Sequence, residues 1–459
     1  MMAARPADAT TDGHAPDLAV NELLSPSEQR SRALARIREV GRSARDKTGS
    51  WQVLRRRRFR VYFVGSTISN LGTWLQNTAQ LLVAYQLTHS AFDVGVITSI
   101  QFSGFLTVGP WAGSLADRLG RKRVLIGTQV ASAVVAGALA SLEASGHMNK
   151  TDLAAGALLT GLALTFALPV QTAMLSALVP ERDRKPALAM NSVSYNAGRA
   201  LAPVLCLGVL ASVGTEWAFA LNAITFVVFA VIIAMVYPRE PTAQHDFVRP
   251  WSVMTVIIER PRIMLLLAMV AAVTFADDPI LVLGPSLAHR IGIADAWPAY
   301  FLAALGLGTL IGALFPVRQT PARRAVIPLA VLAASVVLFS LGVSAWISVL
   351  AAVAAGAAGL LVGSAAQALM LHEVTADRAL QVMALWAVAW AGSKPIASLA
   401  DGWLAGQLGI RWAAAILTIP ALSIAVIEIF LWPGLRLRLK QHMWSLNHRR
   451  QLATGRPSP

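Results

Sequence analysis

Apolar residues in this chain fall in long unbroken runs. From Phe301 to Phe315 no side chain is ionisable, and the only polar one is Thr309. Runs of this kind recur from Phe59 to Trp432, each near or above the roughly 20 residues that cross a hydrocarbon core as a helix. They are continuous, whereas the strands of a membrane barrel would alternate apolar with polar positions, so helices are expected. The pattern predicts twelve transmembrane helices, at 59–87, 90–115, 122–144, 152–178, 186–212, 217–237, 262–289, 297–316, 324–343, 346–372, 378–407 and 411–432. The expected fold class is an all-α integral membrane protein.

The polar residues between the runs set the orientation. Of the 39 Lys and Arg residues, 34 fall in the N-terminal extension, the C-terminal tail and the even-numbered connections. The opposite side holds only Lys150, Arg290 and Arg411, while Arg199 and Lys394 lie inside spans. Positive charge collects on the cytoplasmic side of membrane proteins, so both termini are expected in the cytoplasm. The net charge of +15 therefore records topology, and no nucleic-acid partner is expected. Composition agrees: 56% of residues are hydrophobic and 14% charged, against about 25% charged in soluble domains. The single cysteine, Cys206, sits in an apolar run, which excludes a disulfide framework or thiolate metal site. No cofactor or metal is expected.

The chain divides into five parts. Residues 1–58 form a polar, basic extension with no cleavable signal peptide. Within it, Ser25-Pro26-Ser27-Glu28 carries a helix-starting pattern, an N-cap with a capping-box glutamate. The basic helix that follows would be solvated or would lie on anionic lipid. A six-helix unit at 59–237 and a second at 262–432 are joined by a cytoplasmic linker at 238–261, and a basic tail occupies 433–459. The two units read as a duplication. Gly109-xxx-Gly113 recurs as Gly308-xxx-Gly312, Gln171-xx-Met174-Leu175 as Gln367-xx-Met370-Leu371, and Arg199 as Lys394, at offsets of 199, 196 and 195. Gly356, Gly359 and Gly363 give span 10 the small-residue spacing that lets helix backbones approach in lipid.

Between spans 2 and 3 the chain reads Gly113-Ser-Leu-Ala-Asp117-Arg118-Leu-Gly120-Arg121-Lys122-Arg123. Asp117 can pair with Arg121 or favour a helix N-terminus, Gly113 admits a neighbouring helix, and Gly120 permits a tight turn. This stretch resembles the signature loop of the major facilitator superfamily, and it stands where that family carries it. In the second half the counterpart is eroded, with Pro316 in place of the acid. Ser69-Asn70-Leu71-Gly72-Thr73-Trp74-Leu75-Gln76 and Tyr85-Gln86-Leu87-Thr88 resemble the enterobactin-exporter-like branch of bacterial secretion transporters. The drug-antiporter pattern Gly-Pro-xx-Gly-Gly is absent from span 5, which reads Ala202-Pro203-Val204-Leu205-Cys206-Leu207. The resemblance implies two six-helix bundles that alternate access to a central site. It also implies a conformational latch at Gly113, Asp117, Arg118, Gly120 and Arg121. The function it implies is export of small organic molecules from the inner membrane of a bacterium, coupled to protons, by a monomer surrounded by lipid. Import or uniport of a polar metabolite is the alternative.

In that fold the first and fourth helices of each half line the cavity. Asn70, Thr73, Gln76, Asn77 and Gln80 share a broad face of span 1, and with Gln171 and Gln367 they are candidate cavity residues; hydrogen bonding between helices is the competing reading. Ionisable groups at mid-depth are costly and point to function. Asp277 and Lys394 each lie about 22 Å into their spans, and helices 7 and 11 of the fold are neighbours. Lys394 is therefore expected to pair with Asp277 or Asp278, and one of these adjacent acids to carry the coupling proton. Arg199 finds no acid at mid-depth in its own half. It is expected to bond to span 1 amides or to receive an anionic substrate group. Asp401 and Glu428 are expected to reach the headgroups, and Asp93 the solvent. An enzyme is not expected, since His372-Glu373 lacks the second histidine of a zinc helix.

Overall fold

The computed structural model describes residues 50–237, 261–293, 297–315, 325–374 and 379–431. The N-terminal helix signal at Ser25–Glu28, residues 238–260 of the expected 238–261 linker, Pro316 and the C-terminal tail lie outside the described residues. Those described form only helices and turns. A short 3-10 segment, Ser50–Arg55, leads into α1, Arg57–Thr88. Then come α2 (Ala91–Thr107), α3 (Gly109–Leu119), α4 (Arg121–Ala144), α5 (Lys150–Ala177), α6 (Arg184–Ser212) and α7 (Glu216–Val236). The second half comprises α8 (Pro261–Val282), α9 (Gly284–Arg290), α10 (Trp297–Leu314), α11 (Val326–Leu341), α12 (Ala345–His372), α13 (Ala379–Leu408) and α14 (Ile410–Val426). Seven of these helices are long and apolar enough to cross a membrane, or eight if the bent pair α2 and α3 counts as one span. Side chains such as Val134, Met235, Leu314, Ile327 and Leu350 stay exposed, an apolar exterior suited to hydrocarbon and not to water.

Span 2 is broken. α2 and α3 meet at 62° around Val108, and the signature stretch expected as a loop is helical through Leu119. The turn is made by Gly120 alone, at φ 91°, where a side chain would be strained. Span 7 is divided too. Pro279 is accommodated inside α8, and the chain bends one turn beyond it, at Leu283, before Gly284-Pro285 starts α9.

The halves repeat in packing as well as in sequence. α1 packs on α7 as α8 packs on α14, and α4 on α7 as α11 on α14. Likewise α4 packs on α5 as α11 on α12, and α2 on α5 as α10 on α12. Small residues permit the last of these crossings: a Cβ on Gly312 would lie 2.8 Å from the Ala357 carbonyl, and Gly308 and Gly356 are tighter still. Gly113, by contrast, meets nothing closer than Pro169, at 3.9 Å. Each half also carries an ion pair tying the start of its first helix to the connection that follows its fourth span. These are Arg56 with Asp183, at 2.7 Å, and Arg262 with Glu373. Between the halves, α2 lies along α13 and α6 along α10. The end of the bundle holding α3 is called here the motif end, and the end holding the α1–α2 turn the far end. At the far end α9 packs on α1, with Tyr85 and His289 ring centroids 6.3 Å apart.

Candidate transport site

The polar face of α1 is used mainly for joining helices. The Asn70 amide donates to the Ser194 hydroxyl of α6 at 3.1 Å, and Thr67 donates to the same oxygen at 2.9 Å. Gln76 accepts from Asn222 of α7 at 2.7 Å. On α2, Gln101 donates to Asn77 at 2.9 Å and accepts from Gln80 at 3.3 Å. Gln76 and Gln80 are only 1% and 2% exposed, so these two amides sit between helices and face no cavity. Thr73 bonds back to the Ser69 carbonyl of its own helix. Such buried amides hold helices in register because each needs its partner. Gln171 and Gln367 are half-buried on α5 and α12, and the Gln171 carbonyl accepts from Tyr62.

The charges converge on one turn of α8. Arg199 of α6 donates to Asp277 at 2.9 Å, a bond that crosses from one half of the molecule to the other. Lys394 of α13 donates to Asp278 at 3.0 Å, and Ser398, one turn further along α13, donates to its second oxygen at 2.6 Å. Consecutive residues on a helix point about 100° apart, which lets adjacent acids serve bases on different neighbours. Arg199 thus pairs neither with span 1 amides nor with an acid of its own half. The four groups are buried to different degrees: the side chains of Lys394 and Asp278 are 4% and 0% exposed, those of Arg199 and Asp277 19% and 8%. The second oxygen of Asp277 has no hydrogen-bond partner.

An aromatic train runs beside Arg199 that the sequence reading passed over. Tyr195, one turn before Arg199, lies edge-on to Trp74 of α1 at 5.7 Å and to Trp390 of α13 at 6.0 Å. Trp390 in turn stacks on Trp386, 6.2 Å away. Their spacing gave no signal, because the four rings come from three helices far apart in sequence. The train spans both halves at the level of the ion pairs, and combines flat apolar faces with an arginine.

At the motif end Asp117 accepts from Arg121 at 2.6 Å across the Gly120 turn, while Arg118 is exposed in the last turn of α3. Lys122, next in the motif, donates to the carbonyls of Ala234 and Tyr237, at 2.8 and 2.5 Å. It thereby satisfies the last carbonyls of α7, where a cation is favoured. Two sequence expectations on acids are corrected. Asp401 and Glu428 do not reach a polar surface but are 0% and 1% exposed, because helix packing covers them. Asp93, in the first turn of α2, is part-exposed and paired with the exposed Lys150.

Repeated helical halves meeting along two helix seams, with charges buried between them, define a multi-pass membrane transporter. The model of the Major Facilitator Superfamily matches residues 62–321, and the chain belongs to that family. Among curated relatives, the enterobactin exporter EntS of Shigella flexneri is 26% identical over 261 residues, covering 56% of this chain and 62% of the exporter. The uncharacterised transporter YfiS of Bacillus subtilis is 28% identical over 182 residues, 39% of this chain and 42% of that protein. A gallate transporter of Pseudomonas putida is 35% identical over 121 residues, about a quarter of either chain. The matches thus span less than two thirds of these relatives. Among solved structures, an inward-facing, occupied bacterial homologue of the human lysosomal transporter Spinster superposes with a TM-score of 0.65 at 13% identity, over 81% of this chain and 95% of that one. The nucleoside transporter NupG follows at 0.60 and 12%, over 81% and 98%. These similarities establish the fold.

Proposed function

We propose that this protein exports small organic molecules across a bacterial inner membrane by alternating access, driven by protons moving the other way. In this reading twelve spans form two six-helix units, 59–237 and 262–432, with both termini in the cytoplasm, and the protein works as a monomer. The motif end then faces the cytoplasm and the far end the outside. The observation that carries the reading is the Arg199–Asp277 pair. It joins the two halves through a bond that a rocking motion would strain, beside aromatic faces able to receive a flat ligand. A substrate with an aromatic ring and an anionic group fits this lining: the anion would compete with Asp277 for Arg199, releasing one half from the other and freeing Asp277 to take a proton. The similarity to an enterobactin exporter supports the outward direction.

The gallate-transporter similarity favours a second reading, import of an aromatic acid. Everted membrane vesicles separate the two. Energised by respiration, they are expected to accumulate members of a panel of catecholate siderophores and aromatic acids against a gradient, and to stop when the proton gradient is collapsed. Accumulation only in right-side-out vesicles would establish import instead.

A further inference from the structure

Four charges at the centre of the molecule are balanced in pairs, and a fifth ionisable group beside them has no hydrogen-bond partner. Asp401 lies on α13, one turn beyond Ser398 and two beyond Lys394. It is fully buried, and neither carboxyl oxygen has a hydrogen-bond partner. Asp277 and Asp278, at the same centre, each receive at least one bond. The groups that could answer Asp401 are already engaged. Those acting on it electrostatically are Asp278 of α8, which repels it, and Lys394 of its own helix, which is held by Asp278. Asp277 of α8 holds Arg199. From α2 comes Asp93, paired with Lys150, and from α14 comes Arg411, which donates to the Leu341 carbonyl. The described ionisable groups of α12, His372 and Glu373, are at that helix's motif end. An ionised carboxylate without water, hydrogen bond or free cation is strongly disfavoured, while a neutral acid is tolerated at much lower cost.

The place matters as much as the burial. Here α13 presses backbone to backbone on α2. Gly95 backs onto the Ser398 carbonyl, and a Cβ on Gly402 would lie 2.8 Å from the Ala91 carbonyl. Asp401 directly precedes Gly402 of this seam, on the α13 face that turns Lys394 and Ser398 to α8, and the seam must part if the far end is to open. We propose that Asp401 is a proton-binding site of the transport cycle, neutral while the α2–α13 seam is closed and ionised once the seam opens to water. On opening, the carboxyl O–H bond breaks, the proton leaves on water as hydronium, and the carboxylate stays hydrated. In reverse, hydronium from the far side returns the proton, and closure buries the neutral acid. The closed state therefore binds the proton more tightly, so acid favours closure and rising pH favours opening. The inference rests on the proton-coupled reading above, but not on the direction of transport or the substrate.

The test uses the full chain in liposomes, with protons as the only ligand. Infrared spectra at neutral pH are expected to show the C=O stretch of a buried protonated acid, lost in Asp401→Asn and retained in Asp278→Asn. Asp401→Glu should shift the band without abolishing it, and serves if the amide fails to fold. Spin labels on Trp217→Cys and Trp412→Cys report the far end, since both tryptophans are exposed there, one in each half, while native Cys206 is buried. The separation is expected to lengthen as pH rises in the wild type and to stay short at every pH with Asp401→Asn. No protonated-acid band in the wild type, a band surviving unchanged in both Asp401 variants, or a wild-type pH response in Asp401→Asn would overturn the proposal. Failure to export with these signals intact would overturn the direction alone.

Discussion

Arg199 and Lys394 stand 195 residues apart, one in each half, and both find their acid on the same turn of α8. The two pairs differ in how completely they are dried. Asp278 and Lys394 are shielded from solvent and share their bonds with Ser398, so removing one partner strands the other. Asp278→Asn is expected to cost about 3–5 kcal/mol, read as lowered thermal stability in detergent. The double variant Asp278→Asn with Lys394→Met should recover most of that loss; additive losses would show the pair to be uncoupled. Arg199 and Asp277 are less buried and lie beside the aromatic train, so Arg199→Gln should impair anionic substrates more than matched neutral ones in a transport assay. The mid-depth charges were legible in the sequence because ionisable residues are so rare in apolar runs. The crossing partner of Arg199 was not, since it requires knowing that α6 and α8 of opposite halves face each other at one level. Asp401 was misplaced for a related reason: counting rise along a helix gives depth but not what covers the side chain.

At the scale of the element, close contacts between backbones fix where the halves can part. Gly95→Val would push a side chain into the Ser398 carbonyl, and overpacking of this kind costs about 1–3 kcal/mol. Because the strain falls only on the closed seam, the far-end spin-label distance should lengthen in this variant at neutral pH. An unchanged distance would show that the seam does not move. In the signature segment, Asp117 and Arg121 form a partly exposed i, i+4 pair, and such pairs contribute about 0.5 kcal/mol or less. Asp117→Asn should therefore leave thermal stability nearly unchanged while transport falls sharply; transport at the wild-type level would leave the motif a role in topology alone. The motif's spacing was readable directly. Its continuation as a helix past the bend at Val108 was not, because Gly113-Ser-Leu-Ala contains nothing that forces or forbids a turn. The close crossing of α10 and α12 uses Gly356 of the small-residue spacing, while Gly359 and Gly363 meet no neighbouring backbone; the cap that Lys122 places on α7 depends on contact across 112 residues and left no local trace.

Across the whole molecule, the internal repeat explains both the fold and its working parts. Two units with the same packing order meet along α2–α13 and α6–α10, and paired clasps, Arg56–Asp183 and Arg262–Glu373, brace each unit at the motif end. Rigid units joined at two seams favour rocking over internal rearrangement. A chain lacking residues 1–50 retains Arg55 to Arg60, which suffice for orientation by the positive-inside rule, so it should insert and transport as the full chain does. Normal insertion with lost transport would assign the extension a regulatory role. The most direct test of the central claim is substrate movement in proteoliposomes under an imposed pH gradient, with no other energy source. Vesicles acidic inside should draw an aromatic anionic substrate inward against its gradient, vesicles of equal pH should only equilibrate it, and Asp401→Asn should abolish the difference. Equal uptake by wild-type protein at every gradient would contradict proton-driven alternating access.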